Sequence, residues 1–307
     1  MKHPISFTLA CALVAAVVSA VPPSTLSARL KPEKNAPSGG VNIDLYIGYW
    51  KDSKPRRLYG ALEVRDILTR CAGDPLRPAR KGAVLTGLNT VSYGTLAPKN
   101  STKPTTLSGV QHVLYVASGW GTIRSGNAAF DIRQGFGIII PPRVEFTIAN
   151  SGDKPLTLYI IEEPVPGGFV PRKNLAVKND FDTPVSTNLH RADSRGWLFG
   201  RRDGLASLTG VDPVVFLPRS FVAPHVHLPG DEEIWIALDD MDIQIGNQHR
   251  ELPEGSAYKV PADGRTPHVN INDSDREKRL LWLMRSPRAP IEREPEKENG
   301  GKLRDMI

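Results

Sequence analysis

A chain of 307 residues with 40% apolar and 23% charged content can bury a sizeable core, as one large all-β domain or two of average size. Its net charge of +6 is spread along the chain with no isolated Lys/Arg block, which argues against nucleic acid as a partner. The 27 Gly and 27 Pro point to many turns and short strands, not long helices.

Residues 1–20 open with Lys2 and His3, continue with the apolar run "ISFTLACALVAAVV" and end on the small residues Ser19 and Ala20. A charged start, a short apolar segment and a small-residue cleavage site predict a secretory signal peptide, too short to span a bilayer. The expected location is therefore secreted or periplasmic, with no membrane span after cleavage. Cleavage would also remove Cys11 and leave Cys71 as the only cysteine, so no internal disulfide forms and any metal must be held by His and carboxylates. Residues 21–40, rich in Pro, Ser, Gly and Lys, read as a flexible leader. A first unit is expected over 41–175, beginning with strands in "VNIDLYIGYW" and "LYGALEVRDIL", and a second over 176–285. Residues 286–307 mix charge with Pro and Gly and read as a solvated tail.

The two units are copies of one pattern. "GVQHVLYVASG" at 109–119 parallels "GDEEIWIALDD" at 230–240, and "PPRVEFTIANSGDKPLTLYII" parallels "PADGRTPHVNINDSDREKRLLWLM". His112 falls opposite Glu233, Phe146 opposite His268, Asn150 opposite Asn272 and Asp153 opposite Asp275, at an offset of about 121–122 residues. Each copy reads as short strands separated by Gly, Pro and Asp turns, which predicts an all-β sandwich or jelly roll.

The second copy carries the chemistry. In "HVHLPGDEEIW", His225 and His227 lie two apart and so project from one side of an extended segment. Pro229 and Gly230 then turn the chain, so a glutamate at the head of "EIWIAL" can swing back toward them. His268, in "KVPADGRTPHVNIN", follows another Pro/Gly turn. Three imidazoles and one carboxylate form a ligand set suited to Mn, Fe, Ni, Co or Zn.

"HVHLPGDEE" followed by "PADGRTPHVNIN" resembles the two motifs of the cupin superfamily: His, any, His, a few residues, Glu, and later Pro, Gly, His, three residues, Asn. The resemblance covers about residues 80–285 as a bicupin and implies two tandem cupin β-barrels, each a double-stranded β-helix or jelly roll. It implies His225, His227, Glu233 and His268 as ligands of one divalent transition metal, Mn or Fe favoured and Ni, Zn or Co as alternatives. The family's usual gap from the second His would select Glu232, whereas the following strand and the repeat align better with Glu233; the other glutamate reads as a solvated turn residue. In the first copy the HxH pair is missing, with His112 and Phe146 at ligand positions, so that unit is expected to be a metal-free scaffold and His112 a satisfied buried histidine.

What the resemblance implies for activity is a metalloenzyme acting on a small organic acid, phenol or sugar acid. Oxidoreductase chemistry, dioxygenase or oxalate-type, ranks ahead of lyase or isomerase chemistry, and a non-catalytic sugar- or acid-binding protein is the rival. Trp235, Tyr258, Arg265 and Asn272 are candidates for the substrate pocket. Either a monomer or a homo-oligomer fits. No dinucleotide-binding Gly-rich loop and no nucleophile triad is evident.

Overall fold

The computed structural model describes residues 41–183, 185–187, 193–196 and 198–287. The expected signal peptide and leader, and nearly all of the tail, lie outside them. The described residues form β-strands joined by turns, with four single turns of 3-10 helix and no α-helix. None of their helices is long and apolar enough to cross a membrane.

Two eight-stranded and two four-stranded sheets make up the described residues, one of each formed mainly by the first sequence copy and one of each mainly by the second. In the first unit, the strand Val110–Ser118 runs between Phe136–Ile140 and Leu156–Pro164. In the second, Glu232–Ala237 runs between Ser256–Lys259 and Lys278–Arg285. The registers correspond: His112 sits opposite Glu162 as Glu233 sits opposite Met284. The four-stranded sheets are Thr105–Thr106, Glu145–Ala149, Trp120–Ser125 and Ala128–Arg133 in one unit, and Ser220–Phe221, His268–Asn272, Met241–Ile245 and Gln248–Leu252 in the other.

The large sheets do not respect a cut between residues 175 and 176. Ala176–Asn179 pairs with Phe136–Ile140 and extends the first unit's sheet, while Ile47–Tyr49, near the start of the described chain, pairs with Ser256–Lys259 of the second. Each unit thus borrows an edge strand from the other side of the boundary, which gives an exposed ladder of backbone groups a partner.

Central strands of the large sheets are buried on both faces, which is why they read as continuous apolar runs. Leu114, Val116, Leu158 and Ile160 fill the first barrel with Ile123, Ile148 and Phe146. The alternate residues Val113, Tyr115, Tyr159 and Ile161 share a second core with Ile234, Ile236, Leu281 and Leu283 of the other unit. Successive side chains along a strand therefore serve different cores: one faces the barrel and the next faces the seam between units.

Candidate metal centre

Adjacent glutamates on a strand must point to opposite faces, and this separates Glu232 from Glu233. Glu233 turns into the second barrel, where His227 Nε2 and His268 Nε2 stand 2.7 and 2.9 Å from its Oε2. His225 Nε2 lies 3.1 Å from His268 Nε2. One ligand atom from each of His225, His227, Glu233 and His268 lies within 4.8 Å of the others, so these four could hold a metal ion.

The backbone explains the convergence. The His268 N–H donates to the His225 carbonyl at 3.0 Å, the Gly264 N–H to the His227 carbonyl at 2.9 Å, and the Val260 N–H to the Glu233 carbonyl at 2.9 Å. The two motifs are thereby zipped together. Gly264 has φ +70°, the left-handed backbone that lets the 263–266 turn close without a Cβ penalty.

Hydrogen-bond partners set the tautomers. His225 Nδ1 lies 2.9 Å from the Ala223 carbonyl, which can only accept, so Nδ1 carries the proton and Nε2 presents a lone pair. Tyr258 donates its hydroxyl proton to Asn270 Oδ1 at 2.7 Å, so its oxygen is left to accept from His268 Nδ1 at 3.4 Å, and His268 Nε2 is also a lone pair. Trp282 Nε1 donates to the remaining carboxylate oxygen, Glu233 Oε1, at 2.5 Å. The Nε2 atoms thus face one another and a carboxylate oxygen at 2.7–3.1 Å, the spacing of ligand atoms about 2.1 Å from one shared centre. Such electron-rich groups repel unless a cation sits among them, and the outer donors orient them as supporting residues do around a metal.

Burial alone would raise the Glu233 carboxyl; when no ion lies among the ligands, His268 and His227 in their protonated form outweigh it and hold it well below the usual carboxylate range, taking the place of the cation that neutral imidazoles would need there. Burial, reinforced by the Glu233 charge, pushes the Tyr258 phenol far above its ordinary value, so it keeps its proton.

The remaining expected residues separate. Trp235 is fully buried, with its ring edge-on to Phe216 at 6.3 Å, and is core. Tyr258 is buried beside His268, as just described. Arg265 is exposed on the turn that Asp263 caps, its backbone N–H donating to Asp263 at 2.8 Å. Asn272 is committed to a turn: its amide donates to Phe216, Leu217 and Arg276 carbonyls at 3.1, 2.9 and 2.7 Å. Asn150 makes the same set in the first unit, to Leu96, Ala97 and Lys154. The expectation of a solvated Glu232 is overturned. It is fully buried, on the seam face, and accepts from the main-chain N–H groups of Thr86, Gly87 and Leu88. Sequence reasoning also missed Trp282 and Asn270, whose only signal was their two-residue spacing from other inward positions.

In the first barrel the corresponding place is filled. His112 is buried, its Nδ1 bonded to the Tyr59 hydroxyl and its Nε2 3.0 Å from Glu162. The Tyr59 ring meets Phe146, the residue at the His268 position, edge-on at 5.0 Å.

No family model matches the chain, and no curated protein matches its sequence. Solved structures do match its fold. A Pseudomonas aeruginosa protein named for induction by glyoxylate aligns at TM-score 0.62 and 16% identity, over 80% of this chain and 88% of that one. Vicilin from hazelnut, Corylus avellana, aligns at 0.58 and 13%, over 78% and 85%. The protein Ylba from E. coli aligns at 0.56 and 12%, over 81% and 94%. At such identities the likeness is one of fold alone, that of two cupin-type β-barrels in tandem, and the His/Glu group lies in the second.

Proposed function

We propose that the second barrel binds one divalent transition metal through His225, His227, Glu233 and His268 and uses it on a small oxygenated molecule, an organic acid, phenol or sugar acid. The observation that carries the reading is the convergence of four ligand atoms within 4.8 Å, with His225, His268 and Glu233 each oriented by an outer hydrogen bond. Three imidazoles and a carboxylate suit Mn or Fe best, with Ni, Zn or Co as alternatives. When bound, such a metal supplies Lewis acidity and, for a redox-active ion, access to oxidoreductase chemistry.

The chain's own residues restrict what reaches the centre. Glu233, His268, Trp235 and Tyr258 are buried, with Phe216 buried against Trp235, while His225 and His227 are only half-buried. Approach is therefore from the histidine side, where Val226 and Leu228 are exposed on the same segment. Trp282 fixes the Glu233 carboxylate, and Tyr258 is kept protonated and anchored on Asn270, so neither drifts as a ligand exchanges. The signal-like first twenty residues support export.

Turnover is tested by oxygen uptake and product analysis with a panel of small carboxylates, phenols and sugar acids, comparing the wild-type chain with His268→Ala. Substrate loss that requires His268 is the expected result. The buried side chains beside the ligands favour one other reading, capture without turnover, and saturable binding with no product over hours would replace catalysis with it.

A further inference from the structure

We propose that the first unit positions the metal centre of the second, and that Glu232 is the residue through which it does so; this rests on the metal reading above. Glu232 is joined by one peptide bond to Glu233 and faces the other way. Its buried carboxylate accepts from the N–H groups of Thr86, Gly87 and Leu88 at 2.6, 2.7 and 3.2 Å. Among the described residues no basic side chain pairs with it at contact distance; the first unit's backbone amides supply its hydrogen bonds, and the buried Lys259 on the neighbouring strand adds a longer-range attraction.

The gripping loop is itself fixed from behind. The Asn89 N–H donates to the Glu162 carbonyl at 2.9 Å, and Asn89 Nδ2 donates to Glu162 Oε1 at 2.8 Å. Glu162 Oε2 in turn meets His112 Nε2 at 3.0 Å. His112 is the counterpart of Glu233 in the repeat. The polar network at the ligand position of the first barrel thus ends on the loop that holds the neighbour of the ligand in the second.

A mirror-image clamp provides an internal control. Glu163 accepts from the N–H groups of Ala206, Ser207 and Leu208 at 2.9, 3.0 and 3.1 Å, and from Gln111 Nε2, the counterpart of Glu232, at 2.7 Å. Both clamps cross the seam and both seize the loop before a strand. Only the Glu232 clamp adjoins the four ligands.

Glu232→Gln keeps the shape but puts an NH₂ where a carboxylate oxygen accepted backbone protons. Glu163→Gln does the same to the mirror clamp. The full chain, its wild type and both variants, is titrated with Co²⁺ under conditions where circular dichroism shows all three folded, and the Kd and the visible ligand-field bands are read. The expected result is a Kd weakened about tenfold or more in Glu232→Gln, the size of effect seen when support for a ligand is lost, with altered bands. Glu163→Gln is expected to stay within about twofold of wild type with unchanged bands, although its thermal stability falls too. Should Glu232→Gln fail to fold, Glu232→Asp, which retracts the carboxylate by one methylene, is read the same way and is expected to weaken binding at least threefold. Unchanged binding in the Glu232 variants, or equal weakening at both clamps, would overturn the proposal while leaving the metal reading intact. Failure of the wild-type chain to bind Co²⁺ would instead remove the metal reading and this proposal with it.

Discussion

Two buried tryptophans in the second barrel offer a matched test of how Glu233 is held. Trp282 Nε1 donates at 2.5 Å to Glu233 Oε1, whereas Trp235 Nε1 is buried and has no hydrogen-bond partner among the described residues. The two residues sit opposite one another on paired strands, and replacing either with Phe removes the same ring volume. The volume loss cancels between the two variants, leaving the difference in hydrogen bonding. A hydrogen bond to a charged group contributes about 1.5–3 kcal/mol, and relieving a buried unsatisfied donor returns about 1–3 kcal/mol. Trp282→Phe should therefore be less stable than Trp235→Phe by about 3 kcal/mol or more. For a structure of this size that is a gap of roughly 6–12 °C in Tm. Urea unfolding in excess chelator, followed by circular dichroism, measures the gap without any metal contribution. Equal destabilisation of the two variants would refute the assignment of Trp282 as the group that anchors Glu233.

Asn150→Ala and Asn272→Ala should each cost about 2–4 kcal/mol, because each strips partners from buried turn carbonyls, and metal stoichiometry should be unchanged in both. Denaturation beside metal analysis checks this, and a specific loss of ligand binding in Asn272→Ala alone would restore it as a pocket residue. The Glu162 carboxyl is lowered chiefly by its hydrogen bond from His112, against the opposing effect of partial burial. Its contribution to stability is thus present above the ordinary carboxylate value of 4.5 and lost as pH falls through the lower folded value. Unfolding of Glu162→Gln across pH 2.5–6 should show a wild-type advantage that is constant near neutrality and shrinks on acidification (~2.5–6 spans the carboxylate range). Phe146→Ala should cost about 3–5 kcal/mol from the cavity left against Tyr59 without altering metal content, measured by urea unfolding and metal analysis of the same sample.

The repeat made the architecture legible in the sequence, because His112/Glu233 and Asn150/Asn272 fall at a near-constant offset, the first pair in equivalent registers and the second with equivalent hydrogen bonds. The Asn pair was legible as a landmark but not as a turn lock, since its partners are backbone carbonyls that leave no side-chain signature. The choice between Glu232 and Glu233 was undecided on spacing because the strand "EEIWIA" is buried on both faces and shows no polar alternation. Only the presence of two cores, barrel and seam, assigns each glutamate a face. The role of Glu232 depends on main-chain amides about 145 residues away, and the exchange of Ile47–Tyr49 into the second unit's sheet is likewise non-local. Arg265 and Asn272 show the limit of motif proximity: both lie near the ligands in sequence, yet one is a turn residue in solvent and the other a structural amide.

The chemistry of the second barrel turns on whether the four ligand atoms hold an ion. Elemental analysis of the chain purified without chelator, beside its His225→Ala/His268→Ala variant, tests this most directly. The prediction is about one equivalent of a divalent transition metal per chain in the wild type and none in the variant. No metal in the wild type, or the same metal content in both, would contradict it.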